Sequence, residues 1–291
     1  MPLAAELSVL AKAKLNLFLH LTGKRPDGYH ELLTQVIFTE FGDVLHFAAS
    51  DLLTLHVTGE FAGDCDTGAD NLVLRAARLL LEAAGMQLGA QITLEKNIPV
   101  GAGLGGGSAD AAATLKALNE FWHLDVPGET LLALAVELGA DVPMCLYSEP
   151  LFASGIGEEL AMLDTDMPLM PIWLVLVYPR APLLTASVFG ALTTAEIERG
   201  QFALSHGYGE PLIHTRNDLE AAAIRVAPVV GEVLAAMRQV GPEPLLVRMT
   251  GSGACCFALF SREDEAQNYA DAMAKAHPDW WVMPTESVVQ G

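Results

Sequence analysis

The sequence predicts an α+β protein of two domains, and three observations lead there. Strand-like alternation fills much of residues 13–57 and helix-like spacing dominates later, without the regular strand–helix alternation of a parallel α/β sheet. The chain has 291 residues, which suits one large domain or two ordinary ones. Residues 149–172 mix proline, glycine and acid, which places a boundary near residue 155 and predicts domains over 1–155 and 156–291.

The elements follow in order. In Ala13–Leu21, Leu15, Leu17, Leu19 and Leu21 point one way and Lys14, Asn16, Phe18 and His20 the other, a strand with one face in the core. Pro26-Asp27-Gly28 is turn chemistry, and Tyr29-His30 leave the turn. Thr34–Thr39, Val44–Ala48 and Leu52–Val57 read as three further strands. Asp70 is placed to cap a helix over Asn71–Ala84, which Gly85 ends. Gln91–Lys96 alternates again, and helices follow at Ser108–Trp122 and Glu129–Leu138, the second stopped by Gly139. Beyond the boundary come the strand Trp173–Tyr178, helices near 185–199 and 216–239, strands Leu245–Met249 and Ala254–Phe260 around the loop Thr250–Gly253, the helix Glu263–Ala276 and a tail.

Composition narrows the function. Lys plus Arg number 16 against 36 Asp plus Glu, a formal charge of −20, and no basic run breaks the acidity. Such a body repels nucleic acid and anionic membrane, so neither is an expected partner. No run of eighteen apolar residues and no signal-peptide layout occurs, so a soluble, cytoplasmic chain is expected. Cys65, Cys145, Cys255 and Cys256 form no C-x-x-C pair and read as free thiols. No metal site is expected: the histidines are scattered, and Asp64–Asp70 has glycine at the third ligand position of a calcium loop and no closing glutamate.

The sharpest signal is PVGAGLGGGSAD, Pro99–Asp110, with five glycines where a strand gives way to a helix. Glycines let backbone N–H groups close on an anion, and the helix behind them adds about half a positive charge. Any phosphate site on so acidic a chain must build its own positive field in this way. The P-loop pattern is absent, because no lysine follows the glycines. Gly101-x-Gly103-x-x-Gly106 fits the dinucleotide fingerprint poorly. Its strand is half polar, Asn97-Ile98-Pro99 intervene, and the candidate acids Glu120 and Asp125 lie in or just after the helix.

PVGAGLGGGSADAA resembles the second motif of the GHMP kinases, and Met249–Cys255 resembles their C-terminal glycine motif. AKAKLNLFLHLTGKRPDGYHEL, DNLVLRAARLL and LGADVPMCL are similar to the branch that phosphorylates cytidyl-diphospho-methylerythritol in non-mevalonate isoprenoid biosynthesis. The resemblance runs from about residue 11 to residue 260; little is recognisable over 190–215. It implies a two-domain kinase with its active site in the cleft between the domains, ATP and Mg²⁺ as cofactors, and a small-molecule substrate.

By the same resemblance Lys14 and Asp141 are the catalytic pair, and Pro99, Val100, Gly101, Ala102, Gly103, Leu104, Gly105, Gly106, Gly107, Ser108 and Ala109 wrap the ATP phosphates. Ser108 is placed to cap its helix or to contact a phosphate. Asn16, Tyr29, His30, Thr185 and Phe189 take the substrate. Tyr29 and Phe189 stack on the cytosine and His30 reads its edge, although Ala186 stands where the branch has proline. Asn71 and Lys96 border the adenine. Two alternatives stay open: another GHMP kinase, such as homoserine or mevalonate kinase, whose substrate has no base for the DGYH turn to serve, and a non-catalytic nucleotide-binding protein of the same fold.

Overall fold

The alternation at Ala13–Leu21 extends both ways into a 19-residue strand, β1 (Glu6–Lys24). After the Pro26–Gly28 turn comes β2 (His30–Ala49), one strand of 20 residues where the sequence suggests two. Gly42 explains the continuity: a Cβ there would strike the backbone of Ala11, so a larger residue would push β2 off β1. The computed structural model describes residues 6–163, 171–203 and 212–288; parts of the stretches 149–172 and 190–215 lie outside them.

The chain divides into two units, neither of them one continuous stretch. The first comprises residues up to Lys14, Phe41–Val100 and Gly105–Ser148; the second comprises Leu15–Glu40, Gly101–Leu104 and Glu149 onward.

In the first unit the far end of β2 pairs antiparallel with β4 (Ala90–Glu95), and β3 (Leu53–Thr58) pairs parallel with β4. Ala90, Ile92 and Leu94 are buried on alternate positions, as the period of two requires. Four helices pack on one another: α1 (Leu72–Ala84), α2 (Gly106–Phe121), α3 (Gly128–Leu138) and α4 (Val142–Tyr147). Helix α2 is at their centre, with Ala109, Ala111, Ala112, Leu115, Leu118 and Phe121 all buried. A helix apolar nearly all round is a buried helix, and its alanines let three neighbours come close.

In the second unit the near end of β2 pairs with β5 (Leu151–Ser154), which forms a hairpin with β6 (Glu159–Met162). A separate antiparallel sheet has the order β10-β7-β9-β8, from β7 (Trp173–Tyr178), β8 (Leu246–Met249), β9 (Cys256–Phe260) and β10 (Trp281–Glu286). The central strands β7 and β9 are almost wholly buried. The helices are α5 (Thr185–Gly190), α6 (Thr194–Ala203), α7 (Glu220–Val226), α8 (Val229–Met237) and α9 (Glu263–Ala276).

Several sequence expectations need correction. The helix over 216–239 is two, because Pro228 forces Ala227 into an extended conformation and starts α8 afresh. The tail carries β10, hidden in the sequence by Pro284, which an edge strand tolerates. The hairpin of β5 and β6 lies in the stretch read as irregular. The cap of α1 is Asn71, not Asp70: Asn71 Oδ1 accepts the Val73 N–H at 2.9 Å, while Asp70 is exposed. An N-cap loss costs about 1 kcal/mol. Asn71→Ala is therefore expected to lower unfolding stability in urea by at least about that amount, and Asp70→Ala to stay within about 0.5 kcal/mol of wild type.

Candidate active site

Both faces of β1 are buried, so the face read as polar is not solvated: Lys14, Asn16 and His20 are each at most 5% exposed. A lysine ammonium so placed needs an acid. Asp141 supplies it, with 3.2 Å between Lys14 Nζ and Asp141 Oδ2. The two ends differ, because the Lys14 side chain is 6% exposed and that of Asp141 41%. Pro143 is in the first turn of α4, with Asp141 at the preceding cap position. The carboxylate makes no cap hydrogen bond. It is aimed by the lysine and open on its other side, a geometry able to accept a proton from a bound hydroxyl.

The glycine stretch is a sequence of tight turns. Gly101, Gly103 and Gly105 have φ of 69°, 80° and 66°, in the left-handed region that favours glycine. Close approach adds a second constraint at two of them. A Cβ on Gly103 would lie 2.6 Å from the Thr250 carbonyl, and one on Gly105 2.6 Å from Lys14 Cγ. Helix α2 starts at Gly106 rather than Ser108, and its cap is Gly105, which has no side chain to offer. Ser108 is thus in the first turn and does not cap it. The first helical bond runs from Ala109 N to Gly105 O, which leaves the N–H groups of Gly106, Gly107 and Ser108 without intrahelical acceptors. An open helix end of this kind suits a phosphate.

Lys96 and Asn71, expected to border the adenine, are both held by protein groups. Asn71 caps α1 and donates from Nδ2 to the Asp66 carbonyl at 2.5 Å. Lys96 is buried between Asp43 and Asp110, with Nζ 2.5 and 2.7 Å from their carboxylate oxygens. Burial alone would lower its pKa, but Asp110 and Asp43 outweigh burial and hold the ammonium above its usual range. A lysine therefore does reach the glycine loop, from the strand before it: a Cβ on Gly106 would lie 2.9 Å from Lys96 Nζ. The sequence carried the signal, since Lys96 continues the buried row of Ile92 and Leu94 and so requires acids. Asp110, an acid inside an alanine run, was the other half of it.

In the second unit the loop Thr250–Gly253 is fastened from several sides. Thr250 Oγ1 accepts the Asn16 N–H at 2.9 Å, and Asn16 Nδ2 donates to Thr34 Oγ1 at 2.9 Å. Asn217 Nδ2 donates to the Met249 and Gly251 carbonyls at 2.9 and 2.8 Å. Cys255 N donates to the Ala102 carbonyl at 3.0 Å, tying this loop to Gly101–Leu104. Thr185 Oγ1 lies 3.0 Å from Ser252 Oγ. The sequence reading gives Asn217 no role, since it falls in the stretch 216–239 read as a helix.

The expected base-binding residues lie in the same unit. The Tyr29 N–H is fixed by Asp27 Oδ1 at 3.1 Å and Gly28 turns with φ 92°, while the Tyr29 ring is 62% exposed. The His30 ring lies 5.3 Å from the Phe189 ring, tilted by 31°. His30 Nε2 is buried and has no hydrogen-bond partner among the described residues. Burial, with Lys24 adding to it, lowers the His30 pKa and favours the neutral ring, which has both a donor and an acceptor edge.

Comparison with known proteins bears on this arrangement. Residues 71–149 match the model of the GHMP kinases N terminal domain and residues 203–279 that of GHMP kinases C terminal. A 4-diphosphocytidyl-2-C-methyl-D-erythritol kinase of Paramagnetospirillum magneticum (strain ATCC 700264 / AMB-1) is 47% identical over 283 residues, 96% of this chain and 98% of the relative. The chain belongs to this family of GHMP kinases. Another relative of the same name, from Cereibacter sphaeroides (strain ATCC 17025 / ATH 2.4.3), is 47% identical over 94% of this chain and 96% of its own. A crystal structure of 4-(cytidine 5'-diphospho)-2C-methyl-D-erythritol kinase superposes with a TM-score of 0.77 at 38% identity, covering 97% of this chain and 100% of that one. A homoserine kinase from Cytophaga hutchinsonii reaches a TM-score of 0.73 at 19% identity, over 99% of this chain and 96% of its own, a likeness of fold alone.

The loop geometry separates its glycines. Gly105→Ala meets both a left-handed φ and Lys14, whereas a Cβ on Gly107 would meet only Leu72 Cδ1 at an ordinary 3.5 Å. Gly105→Ala is expected to destabilise by about 1–3 kcal/mol, and Gly107→Ala to be neutral or to stabilise by up to about 1 kcal/mol. Thermal or urea unfolding of the two variants checks the difference.

Proposed function

We propose that this protein transfers the γ-phosphoryl group of ATP to the 2-hydroxyl of 4-diphosphocytidyl-2-C-methyl-D-erythritol, in non-mevalonate isoprenoid biosynthesis. The names of relatives matched along nearly the whole chain support the reaction. The single observation that carries the chemistry is the Lys14–Asp141 pair, a buried ammonium holding a half-open carboxylate. Asp141 takes the proton of the attacking hydroxyl or positions it, and Lys14 holds the Asp141 carboxylate in place and offsets charge on the phosphoryl in flight.

The phosphates lie along Pro99–Ala109. The uncapped first turn of α2 supports that placement. Mg²⁺ accompanies them and screens their charge, which an acidic chain cannot do alone. In this reading the domain over 1–155 binds ATP and that over 156–291 binds the substrate together with Asn16, Tyr29 and His30, and the reaction takes place in the cytoplasm. Asn16 and Thr185 hold the substrate; Tyr29 and Phe189 flank the cytosine, and His30 reads its edge. The buried, unpartnered His30 Nε2 supports a base there, because a polar atom buried without a partner is costly unless a ligand meets it. Homoserine and mevalonate present no base to meet it.

Two measurements test the assignment. Asp141→Asn is expected to lower kcat by roughly 10²–10⁴-fold while ATP still binds; turnover within a few-fold of wild type removes Asp141 from the chemistry. For the base, kcat/KM is compared between cytidyl and uridyl forms of the substrate. Wild type should favour the cytidyl form, and His30→Ala should lose about tenfold of that preference. A full preference in the variant places the base elsewhere.

A further inference from the structure

The buried cluster of Asp43, Lys96 and Asp110 has no part in the chemistry just described. One ammonium faces two carboxylates, and the two are held differently. Asp43 Oδ1 accepts the N–H groups of Asn97 and Ile98 at 2.6 and 2.7 Å, in addition to the Lys96 contact at Oδ2. Asp110 meets Lys96 through Oδ2, but its Oδ1 is buried and accepts nothing among the described residues. Both oxygens of Asp43 are engaged by donors while Asp110 Oδ1 is not, so the place for a proton in this cluster is Asp110. Burial pushes Asp110 above the usual carboxylate range, against the pull of Lys96 and with Asp43 adding to the push.

The titratable and charged groups nearest Asp110 from neighbouring elements are two thiols and the Lys14–Asp141 ion pair at Gly105 and the start of α4. The thiols of Cys65 and Cys145 both have raised pKa values, chiefly through burial, and stay protonated. The buried faces of α1 and α3 are apolar: Val73, Leu74 and Leu80 on one, Leu134 and Leu138 on the other.

The cluster also has a particular address. Asp110 is in the second turn of α2, and Lys96 Nζ lies directly under Gly106, the first residue of that helix. With both acids ionised the cluster bears a net negative charge beneath the open helix end. An anion arriving there favours the state in which that charge is gone.

We propose that Asp110 is a proton-linked positioning residue: polyphosphate binding at the start of α2 takes up one proton from solvent onto Asp110, leaving the neutral Asp43–Lys96 pair beneath the loop. An O–H bond forms on the Asp110 carboxylate, no other bond changes, and the buffer supplies the proton. The inference rests on the reading of Gly105–Ser108 as a phosphate site. The sign follows from linkage: ATP binds the protonated form better, so affinity is greatest below the titration range of Asp110. It falls by up to about tenfold per pH unit above that range.

Calorimetric titration of the full-length chain with Mg²⁺–ATP, in buffers of different ionisation enthalpy between about pH 6 and 9, reads the proton directly. Expected is uptake of up to about one proton per ATP, absent in Asp110→Asn, whose ATP affinity is flat across this range. An infrared difference spectrum of wild type, ATP-bound minus free, should gain a protonated carboxyl band, and this holds whether or not the variant folds. ATP binding with no proton uptake, with proton release, or with equal uptake in Asp110→Asn overturns the proposal while leaving the phosphate site intact. Failure of folded wild type to bind ATP overturns the phosphate reading and the proposal together.

Discussion

A lysine ammonium taken out of water must be given an acid, and this constraint organises the first unit. Two lysines are buried close to the glycine loop, Lys14 beside Gly105 and Lys96 beside Gly106. Each fixes what surrounds it. Lys14 draws Asp141 to the start of α4, and Lys96 draws Asp43 from β2 and Asp110 from α2. Asp43 in turn holds the backbone at Asn97 and Ile98, where the chain enters the loop. The glycines then follow as a steric consequence, since two of them sit where a side chain would displace a lysine. Pairing of this kind adds little net stability, because desolvation opposes it, but breaking one partner is costly. Its yield is a fixed loop.

The same constraint reconciles a body of charge −20 with a phosphate-handling family. Long-range repulsion is screened over about 10 Å at ordinary salt, so the local arrangement decides. Uncapped amides and paired lysines gathered at one turn make a local field that the total charge does not describe.

Much of this was legible in the residues, and the failures have physical causes. Strong periodicity gave β7 and α9 to the residue, because neither contains a conflicting signal. Where proline intervened the reading slipped: Pro228 split a helix, and Pro284 concealed an edge strand. The Lys14–Asp141 pair spans more than a hundred residues, and no local pattern carries such a contact; a resemblance pointed to it. The Lys96 cluster was the converse case. Its residues were in view, with Lys96 placed beside the adenine, but the cluster emerges only when the alternation of Ile92 and Leu94 is followed on to Lys96. Asn71 shows a third kind of limit, since Asp70 and Asn71 are neighbouring residues with the same capping chemistry and only geometry separates them.

The discontinuous make-up of the two units governs how the molecule can be taken apart. The second unit includes Leu15–Glu40 and Gly101–Leu104 as well as everything after Ser148. A fragment cut from 149 onward would lack the strand that pairs with β5 and the backbone that Asp218 and Arg248 grip, since Arg248 Nη1 donates to the Leu17 carbonyl and Asp218 N to the Leu19 carbonyl. Neither half is a module that could be shuffled into another gene. Exchange between relatives succeeds only when all three stretches of each unit travel together.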